Sequence, residues 1–108
     1  MKMIIAIVQD KDANRLSNEF IDANIHATRL STTGGFLKAG NTTFLIGIEE
    51  KRIDEAMTII KETSHARQQF MNPSLNLDGS EHGSSYPVEV QVGGATVFVL
   101  PVDQFMQF

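Results

Sequence analysis

Six residues offer chemistry that one ligand could use: Thr28, Gly34, Gly35, Phe36, Asn41 and Gly47. Adjacent glycines let successive backbone N–H groups point into one concavity, so Gly34-Gly35 suits a phosphate. Phe36 follows directly and presents a face on which a purine can stack, an interaction worth roughly 1–3 kcal/mol per base. The Asn41 side-chain amide matches the edge of adenine, which sets an acceptor beside an amino donor. Thr28 adds a hydroxyl. Gly47, inside an apolar run, admits a ligand close to the backbone. The same residues also describe an ordinary hairpin, because two strands joined by a tight turn need glycine with or without a ligand. The stretch has neither the Gly-Lys-Ser/Thr ending of a P-loop nor a dinucleotide fingerprint.

Nothing else in the chain pairs a nucleophile with a base. His26, His65 and His82 are scattered and lack a metal-ligand spacing such as His-x-x-x-His. Glu49-Glu50 and Asp54-Glu55 fit the start of a helix, where negative charge is favoured. The serines form no Gly-x-Ser-x-Gly. Cysteine is absent, which excludes a disulfide and a thiolate site. The expected activity is therefore binding rather than catalysis, with no metal and no cofactor beyond the ligand itself.

A length of 108 residues fits one domain. A net charge of -4 argues against nucleic acid as a partner, since such proteins carry a basic footprint. The longest apolar run, Met3 to Val8, is too short to span a bilayer. Lys2 is followed by that short run and then by Gln9-Asp10, which is no signal-peptide pattern, so the cytoplasm is the expected compartment.

The elements that must position these residues follow from periodicity. Met3–Val8 predicts a strand. Asp10 or Asp12 is placed to cap a helix whose stripe is Ala13, Leu16, Phe20 and Ala23, with Asn24 as its stop. His26–Thr33 is β-branched and predicts a second strand, the short glycine turn spans 34–40, and Thr42–Ile48 predicts a third strand. Ile53, Ala56, Met57 and Ile60 form the stripe of a second helix running to about Thr63. Ser64 to Pro87 is rich in turn residues and reads as a long flexible loop, which in a small domain is usually functional. Val88, Val90 and Val92 alternate with polar residues, Gly93-Gly94 turns the chain, and Ala95–Val102 is the last strand.

The order is β-α-β-β-α-β with an extra strand before the last: an α+β, ferredoxin-like domain covering residues 1–108. Two helices cover only one face of such a sheet. The first and last strands are nevertheless apolar on both faces, as in strands buried on both sides. Another copy of the chain is the simplest cover, which predicts a homo-oligomer.

Three segments give the chain a resemblance to a known family: residues 1–10, residues 27–47 with Thr-Thr-Gly-Gly-Phe-Leu-Lys-Ala-Gly-Asn-Thr-Thr-Phe, and residues 86–102 with Phe-Val-Leu-Pro-Val. The chain resembles the PII-like cyclic di-AMP receptors. The resemblance implies a homotrimer of ferredoxin-like subunits with cyclic di-AMP in each intersubunit cleft, relaying the signal through loop rearrangement to an unknown downstream protein. It implies that Thr28, Asn41 and Gly47 read adenine and that Gly35, Phe36 and Leu37 line the cleft. His26, where the family usually has arginine, is implied to contact phosphate. The neighbouring subunit would supply Gly93, Phe98 and Gln107. The alternative is a PII-type nitrogen regulator that binds ATP or ADP; the short turn speaks against it, because the long docking loop of those proteins belongs there.

Overall fold

The computed structural model describes residues 1–30, 40–71 and 88–108. Its main sheet has four strands: β1 (Lys2–Gln9), β2 (Thr28–Leu30), β3 (Asn41–Ile48) and β6 (Ala95–Pro101), in the spatial order β2-β3-β1-β6. Every pairing in it is antiparallel. Helices α1 (Asp10–Asp22) and α2 (Ile53–Ser64) complete a β-α-β-β-α-β order, with a short 3-10 turn, Glu50–Arg52, leading into α2. This is the strand order and connectivity of a ferredoxin-like α+β domain.

The core lies between the helices and one sheet face. Ile4, Ala6 and Val8 of β1, and Phe44, Ile46 and Ile48 of β3, are buried there against Ala13, Leu16 and Phe20 of α1 and Ala56 and Ile60 of α2. Phe20 and Phe44 meet edge to face with ring centroids 5.9 Å apart, the geometry that aromatic quadrupoles prefer.

The end of α1 is set by its sequence. Asn24 takes φ 58°, so the chain leaves the helix in the left-handed conformation. The Ile25 N–H then donates to the Phe20 carbonyl at 2.8 Å, and the Asn24 N–H to that of Ile21 at 3.0 Å. Arg52 adds a cation, its Nη2 donating to the Ala23 carbonyl at 2.8 Å. That contact joins the end of α1 to the start of α2. The start of α1 differs from expectation. Neither Asp10 nor Asp12 caps the helix; Gln9 holds the cap position and makes no side-chain cap bond. Both aspartates are committed elsewhere, Asp10 to Thr42 and Asp12 to Arg67.

The stretch after α2 also differs. Arg67–Met71, within the segment that reads as a loop, forms strand β4 and pairs with β5 (Val88–Val92) in a separate two-stranded ribbon. Its sequence hides this because backbone pairing with β5, not burial, holds it: Gln68, Gln69 and Phe70 are all exposed. The expected turn 34–40 lies outside the described residues except for Gly40, as does most of the expected loop, residues 72–87. Gly93-Gly94 does not close a hairpin. Both take positive φ, 82° and 107°, and pass the chain from the ribbon into β6 of the main sheet.

One buried group tests this packing. The Ser64 hydroxyl is fully buried at the end of α2 and has no hydrogen-bond partner among the described residues. An unsatisfied buried hydroxyl costs about 1–3 kcal/mol. Ser64→Ala is therefore expected to hold or raise the midpoint of urea unfolding; a lowered midpoint contradicts this environment.

Candidate functional site

The sheet's second face follows from register. Met3, Ile5, Ile7 and Gln9 of β1 stand beside Asn41, Thr43, Leu45 and Gly47 of β3 on one side, and Ile5 stands beside Phe98 of β6 on the other. Thr28 of β2 pairs with Leu45, which puts it on the same face. The helices pack on the opposite side, so among the described residues this face is left open. Phe98 is 52% exposed and Leu100 42%, a large apolar exposure for two neighbouring positions of one strand.

The expected site residues separate along this face. Asn41 and Gly93 line a cleft of about 610 Å³ at the end of β1, together with Gln9, Asp10, Lys11 and Thr96. His26 and Gly47 line a second hollow of about 340 Å³ at the other end of β3, beside Met1 and Lys51. Asn41 and Gly47 are six residues apart on one strand, roughly 20 Å at the usual rise of about 3.3 Å per residue. Thr28 and Phe98 lie on the face between these ends. Gln107 is in the exposed C-terminal stretch and joins neither hollow. Gly35, Phe36 and Leu37 lie outside the described residues.

Gly47 has room for a side chain within one chain: among the described residues, a Cβ there would meet only the Met1 sulfur, at 4.0 Å. Its lack of a side chain leaves the face flat at that point. Gly93 is different. With φ +82°, an added Cβ would fall 2.5 Å from Arg67 Nη1 and 2.6 Å from the His65 carbonyl. Only glycine fits that position.

Around Gly93 the ribbon is fastened to the main domain. Arg67 makes a two-pronged contact with Asp12: Nη2 donates to Oδ1 at 2.7 Å and Nη1 to Oδ2 at 3.3 Å. Nη1 also donates to the His65 carbonyl at 3.1 Å. The hydrogen bond to Asp12, aided by its charge, raises the guanidinium pKa above the ordinary value against the opposing effect of burial. The Asp12 side chain is only 5% exposed, and both of its oxygens accept from this one guanidinium in the fork geometry that arginine and carboxylate share. The Gly93 N–H donates to Gln9 Oε1 at 2.7 Å, and the Gly94 N–H to the Ser64 carbonyl at 2.6 Å. Lys11 reaches Gln69 on the ribbon at 2.9 Å.

Among the described residues, the larger cleft offers side-chain amides, backbone groups and a carboxylate that can hold a polar ligand. Asp10, the carboxylate in the larger cleft, accepts a hydrogen bond from the Thr42 hydroxyl at 2.5 Å. No three His, Cys, Asp or Glu side chains among the described residues are placed to share a metal ion. No helix among the described residues is long and apolar enough to cross a membrane. Sequence reasoning passed over Gln9, Lys11 and Thr96. The available signal for Gln9 was a polar residue ending an otherwise apolar strand.

Over residues 1–108, the whole chain, the sequence matches the family described as cyclic-di-AMP receptor. Among solved structures it is similar to a protein of Pediococcus pentosaceus ATCC 25745 described as functionally unknown. The two share 62% identity and a TM-score of 0.80, over 99% of this chain and 96% of that one.

The fastening of the ribbon can be tested on stability. Arg67→Ala strands a buried carboxylate, and breaking such a pair costs about 3 kcal/mol. Urea unfolding is expected to show a loss of that order, whereas a change below about 0.5 kcal/mol, as for an exposed ion pair, contradicts the contact.

Proposed function

Because the chain belongs to the cyclic-di-AMP receptor family, we propose that it is a non-enzymatic receptor that binds cyclic di-AMP in clefts between the three subunits of a PII-like homotrimer. Binding rearranges loops, and the altered surface is read by a downstream protein partner in the cytoplasm. The observation that carries this reading is the common face of Thr28, Asn41 and Gly47: their strands place all three on the sheet side that the helices leave open.

That placement suits a ligand with two bases. Asn41 and Gly47 stand at opposite ends of β3, about 20 Å apart. An elongated ligand with a purine at each end meets both, and a single base meets one. Thr28 lies between them, and an exposed Phe98 from the neighbouring copy supplies an aromatic face in this reading. A neighbouring copy laid on the open face buries Ile5, Phe98 and Leu100 and also walls in the ligand. The expected contributions of Gly35, Phe36 and Leu37 complete the pocket in this reading, with His26 at the phosphate and Gly93, Phe98 and Gln107 arriving from the neighbour. Relay requires that the ligand bind one loop arrangement more tightly than another.

Titration calorimetry with cyclic di-AMP, cyclic di-GMP and ATP tests the reading. Cyclic di-AMP is expected to bind, and Asn41→Ala to weaken it by about tenfold or more with unchanged oligomer mass, the loss of one well-placed polar contact. Binding of ATP alone would point instead to a nitrogen-regulator-like protein and contradict the proposal.

A further inference from the structure

Gln9 has no expected role, yet it lines the larger cleft with its side chain held by the Gly93 N–H. It ends β1 directly opposite Asn41 in the β1–β3 register, so both side-chain amides stand on the open face. Both line the same cavity of about 610 Å³.

The orientation of the Gln9 amide follows from its partner. A backbone N–H can only donate, so the atom facing the Gly93 N–H at 2.7 Å must be the oxygen. The Nε2 group is thereby turned away from Gly93. Among the described residues it has no acceptor. The side chain thus offers donors, while its oxygen is already engaged.

Gly93 is itself held rigidly. Its positive φ and its close approach to Arg67 and His65 leave no room for a side chain. Arg67 in turn is fixed to Asp12 by two hydrogen bonds. A chain of contacts therefore runs from buried Asp12 through Arg67 and Gly93 to the Gln9 amide. Each link removes a degree of freedom from the last one. A flexible side chain held this way binds without the ordering cost that a free glutamine incurs.

We propose that Gln9 is a ligand-binding residue of this cleft, donating from Nε2 to an acceptor atom of the nucleotide, and that Gly93 and Arg67 are its positioning residues. This rests on the receptor reading above and adds a second amide beside Asn41. The two differ in character. Asn41 can present both an acceptor and donors to a base edge, whereas Gln9 offers donors, which suits a ring nitrogen or a phosphate oxygen.

Gln9→Glu separates the two roles of this side chain. A glutamate keeps the oxygen that accepts from Gly93 and removes the donors. The variant is expected to keep the thermal midpoint of the wild type and to bind cyclic di-AMP about tenfold or more weakly. The loss is expected to persist at about 0.5 M salt, where repulsion between exposed charges is largely screened. Affinity within about twofold of wild type overturns the proposal, as does a loss that disappears at high salt. Gln9→Met, which removes both roles, guards against a glutamate that disturbs the fold. It is expected to lose affinity at least as strongly, and wild-type affinity in that variant also overturns the assignment. Failure of the wild-type chain to bind cyclic di-AMP overturns the receptor reading and this proposal together, whereas wild-type binding with an indifferent Gln9 overturns this proposal alone.

Discussion

Two helices cover one face of a four-stranded sheet, and β1 is apolar on both. This mismatch governs the rest of the structure. Ile4, Ala6 and Val8 satisfy the covered side within the chain, each at most 1% exposed. Met3, Ile5 and Ile7 point the other way and are only half-buried, with Phe98 and Leu100 alongside them on the open face. Apolar area left in water forfeits about 25 cal/mol per Å². A surface of this kind is more economical as an interface than as a solvent face. The proposed ligand site lies on the same side, so assembly and recognition draw on one set of residues.

The ribbon of β4 and β5 follows a different principle. It contributes little apolar burial and depends on directed polar contacts at its base. Arg67 and Asp12 supply the charged link, the Gly93 and Gly94 N–H groups supply backbone links, and Lys11 to Gln69 supplies a surface one. Such contacts fix geometry more than they add stability, because burying ions offsets much of what their attraction contributes. Geometry is what a binding cleft needs. The fixed Gly93 forms one wall of the cleft that Asn41 lines from the other side.

The parts of this fold that burial dictates were legible in the sequence. The apolar run of β1 and the stripe of Leu16 and Phe20 in α1 each correspond to an observed element. Asn24 was readable as the helix stop because its left-handed conformation is a local property. The rest depends on contacts distant in the chain. Asp12 looks like a capping residue until Arg67, 55 positions later, claims it. Strand β4 has no periodic signature because its stability comes from pairing with β5. Gly93-Gly94 resembles a hairpin turn, and only the sheet topology reveals that it connects two sheets. For the site, residue types suggested Thr28, Asn41 and Gly47, and register put them on one face. Gln9 escaped notice because its significance lies in what faces it 84 residues away.

If copies of the chain close the open face and cyclic di-AMP binds where they meet, subunit number and ligand number are linked. Native mass spectrometry of the intact protein, with and without cyclic di-AMP, measures both at once. A trimer that takes up to three ligand molecules, one for each intersubunit cleft, is expected. A monomer that binds cyclic di-AMP one to one, with its open face uncovered, would contradict it.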